Sequence, residues 1–330
     1  MERLEQLQAW LQQVLPGETY PLAPASSDAS FRRYFRISLP ERSLIIMDAP
    51  PQQENCVSFV HVARLFKAAG VHVPEIVAQD LAQGFLLLSD LGTETYLSQL
   101  NAPCADDLYR DANNALIKIQ LASQPAQLPA YDAPLLLREM HLFPEWYIAK
   151  HLQVQLSAQQ TAVLESALQL LLSNVLAQPT VYVHRDFHSR NLMCSEPNPG
   201  VLDFQDAVLG PITYDLVSLY KDAYVGWEEA RVIDWTIRYW EAAKRVQLPV
   251  ADDFGAFYRD FEWMGIQRHL KVLGIFARLY YRDGKAGYLN DMPLVLDYLR
   301  KACERYRAFG PFLELLDEVH KREHSVGYTF

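Results

Sequence analysis

The apolar positions change period along the chain, and the changes mark out its elements. Leu4, Leu7, Leu11 and Val14 recur at helical spacing, which predicts a helix from Glu2 to Leu15 closed by Pro16-Gly17. Residues 30–38 alternate instead, with Phe31, Phe35 and Ile37 opposing Tyr34, Arg36 and Ser38, the two-residue period of a strand. Ser43 to Ala49 is an apolar run of strand length stopped by Pro50-Pro51. Helical spacing returns over 53–69 through Val57, Val60, Arg64, Leu65 and Ala68, and Gly70 closes it. Val71–Val77 and Gly84–Ser89 read as two further strands.

Beyond Asp90-Leu91-Gly92 the pattern turns helical. Helices are expected over 105–121, 134–150, 158–177, 213–224, 228–245, 253–281 and 293–306. Strand-like Val181-Tyr182-Val183 and the segment from Gly200 to Phe204 interrupt them. The expectation is an α+β chain in two lobes. Residues 1–90 form a small sheet lobe, a hinge lies near 88–92, and residues 91–330 form a large, mainly helical lobe. There are no internal repeats, and only the Pro- and Ala-rich stretch 123–134 is compositionally biased.

Composition narrows the function classes. Half of the 330 residues are hydrophobic, enough for a sizeable core. Forty acidic against thirty basic side chains give a net charge of −10, which argues against a general polyanion binder and hence against nucleic acid as partner. No apolar run approaches the ~18 residues of a membrane span, and Met-Glu-Arg-Leu-Glu does not open like a secretory signal. A soluble, cytoplasmic protein is expected. The cysteines Cys56, Cys104, Cys194 and Cys303 lie far apart with no Cys-x-x-Cys, so free thiols in a reducing compartment are expected. The glycine fingerprints of dinucleotide-binding, P-loop and α/β-hydrolase sites do not occur.

The strongest chemical constellation is His184-Arg185-Asp186-Phe187-His188-Ser189-Arg190-Asn191, preceded by a strand and followed by Leu202-Asp203-Phe204. Phosphoryl transfer needs this inventory. One carboxylate takes the attacking hydroxyl's proton, and a separate carboxylate and amide hold Mg²⁺ against the phosphates of ATP. Asp186 fits the first role; Asn191 and Asp203 fit the second. Asp215, in Gly210-Pro211-Ile212-Thr213-Tyr214-Asp215-Leu216, opens an apolar helix. There it serves as a dipole-favoured first-turn acid, as a brace for the backbone of the 184–186 loop together with His184, or as both.

These motifs resemble the aminoglycoside phosphotransferase and choline kinase family, relatives of protein kinases. The resemblance implies a bilobal, protein-kinase-like fold that uses ATP and Mg²⁺. Four stretches resemble, more narrowly, a bacterial amino-sugar kinase family. They are Ser30-Phe31-Arg32-Arg33-Tyr34-Phe35-Arg36, Met47-Asp48-Ala49-Pro50-Pro51, Asp203-Phe204-Gln205-Asp206-Ala207 and Gln267-Arg268-His269-Leu270-Lys271-Val272-Leu273-Gly274. That family, as the resemblance implies, phosphorylates the anomeric hydroxyl of N-acetylmuramate and N-acetylglucosamine in cytoplasmic peptidoglycan recycling, ahead of a uridylyltransferase. The same scaffold elsewhere takes aminoglycosides, choline or homoserine. A nucleotide-binding pseudokinase is a further alternative, and Asp186, Asn191 and Asp203 all being present weighs against it. Only seven residues separate Asp203 from Pro211, and no Ala-Pro-Glu follows. That leaves no room for a peptide-presenting activation loop, and Gln205 stands where protein kinases place glycine.

Two departures matter. The hairpin expected to cover the phosphates, Ala25-Ser26-Ser27-Asp28-Ala29-Ser30, lacks glycine, although backbone N–H groups around Ser27 and Ser30 can still face them. Met47 sits where the phosphate-pairing lysine is expected. The substitute expected is Arg33 or Arg36, with Glu54 as partner, against the alternative of two solvated arginines. Adenine recognition is assigned through the resemblance to the linker Leu88-Ser89-Asp90-Leu91-Gly92, with Ser89 and Leu91 as its contacts. For the acceptor, Arg268, Lys271, Arg278 and Arg282 cluster within a sector of roughly 80° opposite the apolar stripe of their helix. They form either a solvated face or a cation for a sugar carboxylate. Glu145, in Phe143-Pro144-Glu145-Trp146-Tyr147, stands beside aromatics that either stack on a sugar or pack in the core. His320-Lys321-Arg322-Glu323-His324 matches an inverted zinc-protease pattern but reads as a charged helical tail.

Overall fold

The computed structural model describes residues 3–27 and 31–321. The chain forms two compact units, one from its start to Ala122 together with Arg190–Ala207, the other from Ser123–Ser189 together with Val208 onward.

In the first unit, helix α1 (Arg3–Val14) precedes a five-stranded antiparallel sheet. Its strands are β1 (Ala23–Ser27), β2 (Arg33–Ser38), β3 (Ser43–Asp48), β4 (Ile76–Asp80) and β5 (Phe85–Ser89), in the order β1-β2-β3-β5-β4. Alternation sorts the side chains onto two faces. Ile37 of β2, Leu44 and Ile46 of β3, and Phe85 and Leu87 of β5 share one face, on which α1 buries Leu7, Trp10 and Leu11. Burying each such side chain stabilises by ~1.5–3 kcal/mol, so this contact rather than intrinsic propensity holds a helix of only 12 residues. Helix α2 (Cys56–Ala68) is capped by Asn55, whose side chain accepts the N–H of Val57 at 2.9 Å.

The strand expected at Val71–Val77 begins later, at Ile76. Val71 and Val73 are buried in the connection from α2 instead; burial gave them the apolar signature without a ladder. Gly84, before β5, has φ +74°, and a Cβ there would lie 1.9 Å from the carbonyl oxygen of Ala49. The unit is completed by α3 (Tyr96–Gln99), α4 (Ala105–Leu121) and the returning hairpin in which Leu192–Met193 pairs with Gly200–Val201.

The second unit is helical apart from the antiparallel pair Thr180–Val183 with Val208–Pro211. Its helices are α5 (Ala133–Met140), α6 (Ala158–Ala177), α7 (Tyr214–Tyr220), α8 (Glu229–Arg245), α9 (Phe254–Tyr281), α10 (Met292–Arg305) and α11 (Gly310–Val319). The helix expected over 134–150 breaks after Met140 and resumes as a wide π-helix, Phe143–His151. Pro144 lies in its first turn and has no N–H to donate backward.

Helix α9 runs through the middle of the unit, packed by α5, α6, α7, α8, α10 and the π-helix. Arg268 and Lys271 are accordingly 7% and 6% exposed, and the solvated sector that the helical period allowed at these positions is absent. Neighbours on all sides override a one-sided apolar stripe.

The small sheet at the N-terminal side and the helical remainder are the architecture that the sequence pattern implies. Gly274 sets how closely α9 meets the chain before the π-helix, since an added Cβ would fall 2.4–2.6 Å from the Leu142 backbone. Gly274→Ala should therefore destabilise the fold by ~1–3 kcal/mol, the usual cost of overpacking, read as a lower urea midpoint at unchanged slope. An unchanged midpoint would show that the helices separate at no cost.

Candidate active site

In the second unit, the loop after the strand Thr180–Val183 carries His184, Arg185 and Asp186. Asp215, in the first turn of α7, is 1% exposed. Its carboxylate accepts the backbone N–H of His184 at 2.7 Å and that of Arg185 at 3.0 Å. These bonds hold Arg185 at φ +78°, a conformation costly for a non-glycine residue. The amide of Asp186 donates to the His184 ring at 3.2 Å, so buried His184 ties the loop to itself. Asp222, seven residues beyond Asp215, accepts the amide of Ser189 at 3.0 Å and its hydroxyl at 2.5 Å. Carboxylates thus grip the loop at both ends.

Below the loop lies a buried charge cluster. Arg268 donates to the Arg185 carbonyl at 2.8 Å and to the Tyr214 hydroxyl at 3.1 Å. Lys271 donates to the same hydroxyl at 3.0 Å and lies 3.1 Å from Glu139. Arg185 and the Tyr131 hydroxyl also bond to Glu139. Burial alone pushes the half-buried Asp186 carboxyl up, but Lys271, Arg268, His188 and Arg185 outweigh it and bring it down to about 2. Asp186 is therefore ionised throughout the neutral range, as a proton acceptor must be. For Asp215 burial wins over its two amide donors, and its carboxyl is pushed up to about 7.

The metal-type donors lie in the first unit. Asn191 opens the returning hairpin and Asp203 closes it, and the Asn191 amide donates to the Asp203 carboxylate at 3.4 Å. The backbone fixes the pair, because the Leu202 N–H bonds to the Asn191 carbonyl at 2.9 Å. Asp203 sits at φ +61° and accepts from the Gln205 amide at 2.8 Å. Phe204 is fully buried between Phe59 and Phe66 of α2, with ring centroids at 4.8 and 5.9 Å. One carboxylate and one neutral amide, converging and partly open to solvent, fit Mg²⁺, which takes few protein oxygens and completes its shell with phosphate and water. Among the described residues no cluster of three or more His, Cys, Asp or Glu side chains forms a metal cage.

The arginines of β2 are not arranged as the sequence suggests. Arg33 faces α1, where it and Arg3 neutralise fully buried Asp48. Arg36 grips the linker, forking onto Asp90 at 2.6 and 2.9 Å and reaching the Gly92 carbonyl at 2.8 Å. Neither pairs with Glu54. The arginine beside Glu54 is Arg32, at 3.6 Å, and it also lies 3.8 Å from Asp203.

Ser27 ends β1, and Ser30 lies outside the described residues. Ser89 is pinned to Glu75 through both its amide and its hydroxyl. Leu91 is partly buried near Gly200. Glu145 is exposed on the π-helix, whereas Phe143 and Tyr147 stack at 5.2 Å inside the core. His320 bonds to the Tyr147 hydroxyl at 3.0 Å, and the rest of the zinc-like pattern beyond Lys321 lies outside the described residues. Sequence reasoning missed Arg32, Glu139 and Asp222. Glu139 had no motif to announce it, and Asp222 lies just beyond the end of α7, where no helical period marks it.

Residues 21–252 match the phosphotransferase enzyme family. A curated relative from Pseudomonas aeruginosa, named N-acetylmuramate/N-acetylglucosamine kinase, is 52% identical over 95% of this chain and 96% of its own. A relative of the same name from Neisseria meningitidis is 46% identical over the full length of both. Among solved structures, a choline/ethanolamine kinase family protein from Mesorhizobium loti shares the fold. Its TM-score is 0.62 at 15% identity, covering 96% of this chain and 100% of its own.

The Asp215 brace has a pH signature. Folded, Asp215 keeps its proton to about pH 7, against an ordinary value of 3.8. The folded state thus holds the extra proton, and stability should fall as pH rises from about 4 to about 7, at most ~1.4 kcal/mol per pH unit. Asp186 acts oppositely: its contribution is present above about pH 4 and is lost as pH falls toward 2. Urea midpoints of Asp215→Asn should lack the wild-type decline between pH 5 and pH 7; an equal decline in both would refute the assignment. Asp215→Ala, which strands two buried amides, should cost ~2–6 kcal/mol at ~1–3 each.

Proposed function

We propose, for a chain that belongs to the phosphotransferase enzyme family, that it moves the terminal phosphate of ATP onto the anomeric hydroxyl of an amino sugar. N-acetylmuramate and N-acetylglucosamine are the acceptors, and the sugar 1-phosphate is the product. The observation that carries the reading is a carboxylate, Asp186, kept ionised by buried cations on a braced loop, five residues before the first of two oxygen donors suited to Mg²⁺. The choice of sugar rests on the relatives at 46–52% identity and on their names. A sugar 1-phosphate suits a nucleotidyl transferase as its next user, and a cytoplasmic location suits a supply of ATP.

In this reading the Asp186 carboxylate accepts a hydrogen bond from the anomeric hydroxyl, aligns its oxygen and takes its proton as that oxygen bonds to the terminal phosphorus and the bond to the departing ADP oxygen breaks. The strained backbone at Arg185 is fixed beforehand by Asp215, so little reorganisation accompanies the reaction. Asn191 and Asp203 hold Mg²⁺, which when bound neutralises charge on the phosphates. Gln205 and the Asn191 amide keep Asp203 oriented. The linker 88–92 receives adenine and works as the hinge between lobes 1–90 and 91–330, with Arg36 clamping it to β2. Arg268 and Lys271 act through Asp186 and the Arg185 carbonyl rather than from a solvated face. Exposed Glu145 is assigned to the acceptor's hydroxyls.

Phosphorus NMR of reactions with ATP and each sugar should show a 1-phosphate, and choline or an aminoglycoside should leave ATP intact. A 6-phosphate, or turnover of the cationic acceptors alone, would contradict the substrate assignment. Asp186→Asn should lower kcat by ~10²–10⁴, the usual worth of a positioned general base, with nucleotide affinity nearly unchanged. Equal loss of nucleotide binding would contradict its role as base.

A further inference from the structure

We infer that Arg32 supplies the cation that pairs with the triphosphate, replacing the lysine that β3 lacks; this rests on the ATP-dependent reading above. Strand parity selects the residue. Tyr34 lies opposite Met47 and Arg33 opposite Asp48, and cross-strand partners share a sheet face. Met47 is 1% exposed and carries no charge, so the face where a lysine would project has no cation of its own at that position. Continuing the alternation back from Tyr34 puts Arg32 on this same face, whereas Arg33 points to the α1 side.

The guanidinium of Arg32 lies between two carboxylates, Nε 3.6 Å from Glu54 and Nη1 3.8 Å from Asp203. Its side chain is only 9% exposed, so its reach is confined to this spot. Glu54 is itself anchored, since its second oxygen accepts the Phe31 N–H at 3.2 Å. It therefore fixes both the backbone and the side chain of the segment that enters β2. Arg36 is closed onto Asp90 by two short bonds on the linker, and Arg33 is required by buried Asp48 on the α1 face. A fork of N–H donors beside Asp203 can bond non-bridging phosphate oxygens while keeping its carboxylate neighbour. Without a cation there, Glu54 and Asp203 would repel the polyanion in a chain of net charge −10.

The test is the ratio of affinities for ATP and for adenosine, measured calorimetrically without added metal or sugar. Adenosine reads the adenine site and the fold, and ATP adds the phosphates. Arg32→Met should lower this ratio about tenfold or more, as loss of a charge-assisted phosphate contact does. Arg32→Lys should retain part of it, and adding Met47→Lys to Arg32→Met should recover most of it. A ratio unchanged in Arg32→Met while the wild type binds both ligands would overturn the Arg32 assignment and leave the kinase reading standing. Wild-type protein that binds neither ligand would overturn both.

Discussion

The structure depends on a buried carboxylate gripping backbone amides. Asp215 accepts from His184 and Arg185, and Asp222 accepts from Ser189. Out of water, an amide without an acceptor is expensive, and these carboxyl oxygens supply the acceptors. These contacts therefore outweigh the strain of holding Arg185 at φ +78°. Arg268 completes the grip from below through the Arg185 carbonyl. The geometry of Asp186 is consequently set before any substrate arrives.

A second constraint is local charge inversion. The chain carries a net −10, yet Arg185, Arg268 and Lys271 are gathered beneath Asp186, with Glu139 among them and Asp215 titrating near neutrality. Burial of so many charges is tolerable only because each is bonded: Lys271 and Arg268 share the Tyr214 hydroxyl, and Glu139 joins Arg185, Lys271 and Tyr131. The result keeps one carboxylate anionic among cations. In the other unit Asp203 is treated differently, held by neutral amides from Asn191 and Gln205 and by one arginine at ion-pair distance. One acid is held without its proton among cations, and the other is held mainly by neutral amides.

Much of this was legible in the sequence where local rules governed. The spacing from His184 through Asn191 to Asp203 and Asp215 marked residues that the fold ties together, Asp215 to the 184–185 backbone and Asn191 to Asp203, because a short loop and a turn leave those side chains little freedom. Helices α4 and α6 fell where periodicity put them. Legibility failed where tertiary context decided. Period alone made Arg268 and Lys271 look like one sector of a surface helix, but α9 is buried without a break from Met264 to Gly274. Glu139 joins the cluster from a helix some forty-five residues away in the chain, which no local pattern encodes. The surroundings of Arg33 and Arg36 were not legible either: the pleat puts Arg33 on the α1 face, and Arg36 pairs with Asp90 from a distant part of the chain.

In the proposed site Asn191 and Asp203 would face the metal and Asp186 would not. Manganese binding in the presence of ATP, followed by electron paramagnetic resonance in wild-type, Asp203→Asn, Asn191→Ala and Asp186→Asn proteins, reads that division without turnover. Metal affinity should fall clearly in the first two variants and stay near wild type in Asp186→Asn. A loss in Asp186→Asn as large as that in Asp203→Asn, or no loss in Asp203→Asn, would contradict it.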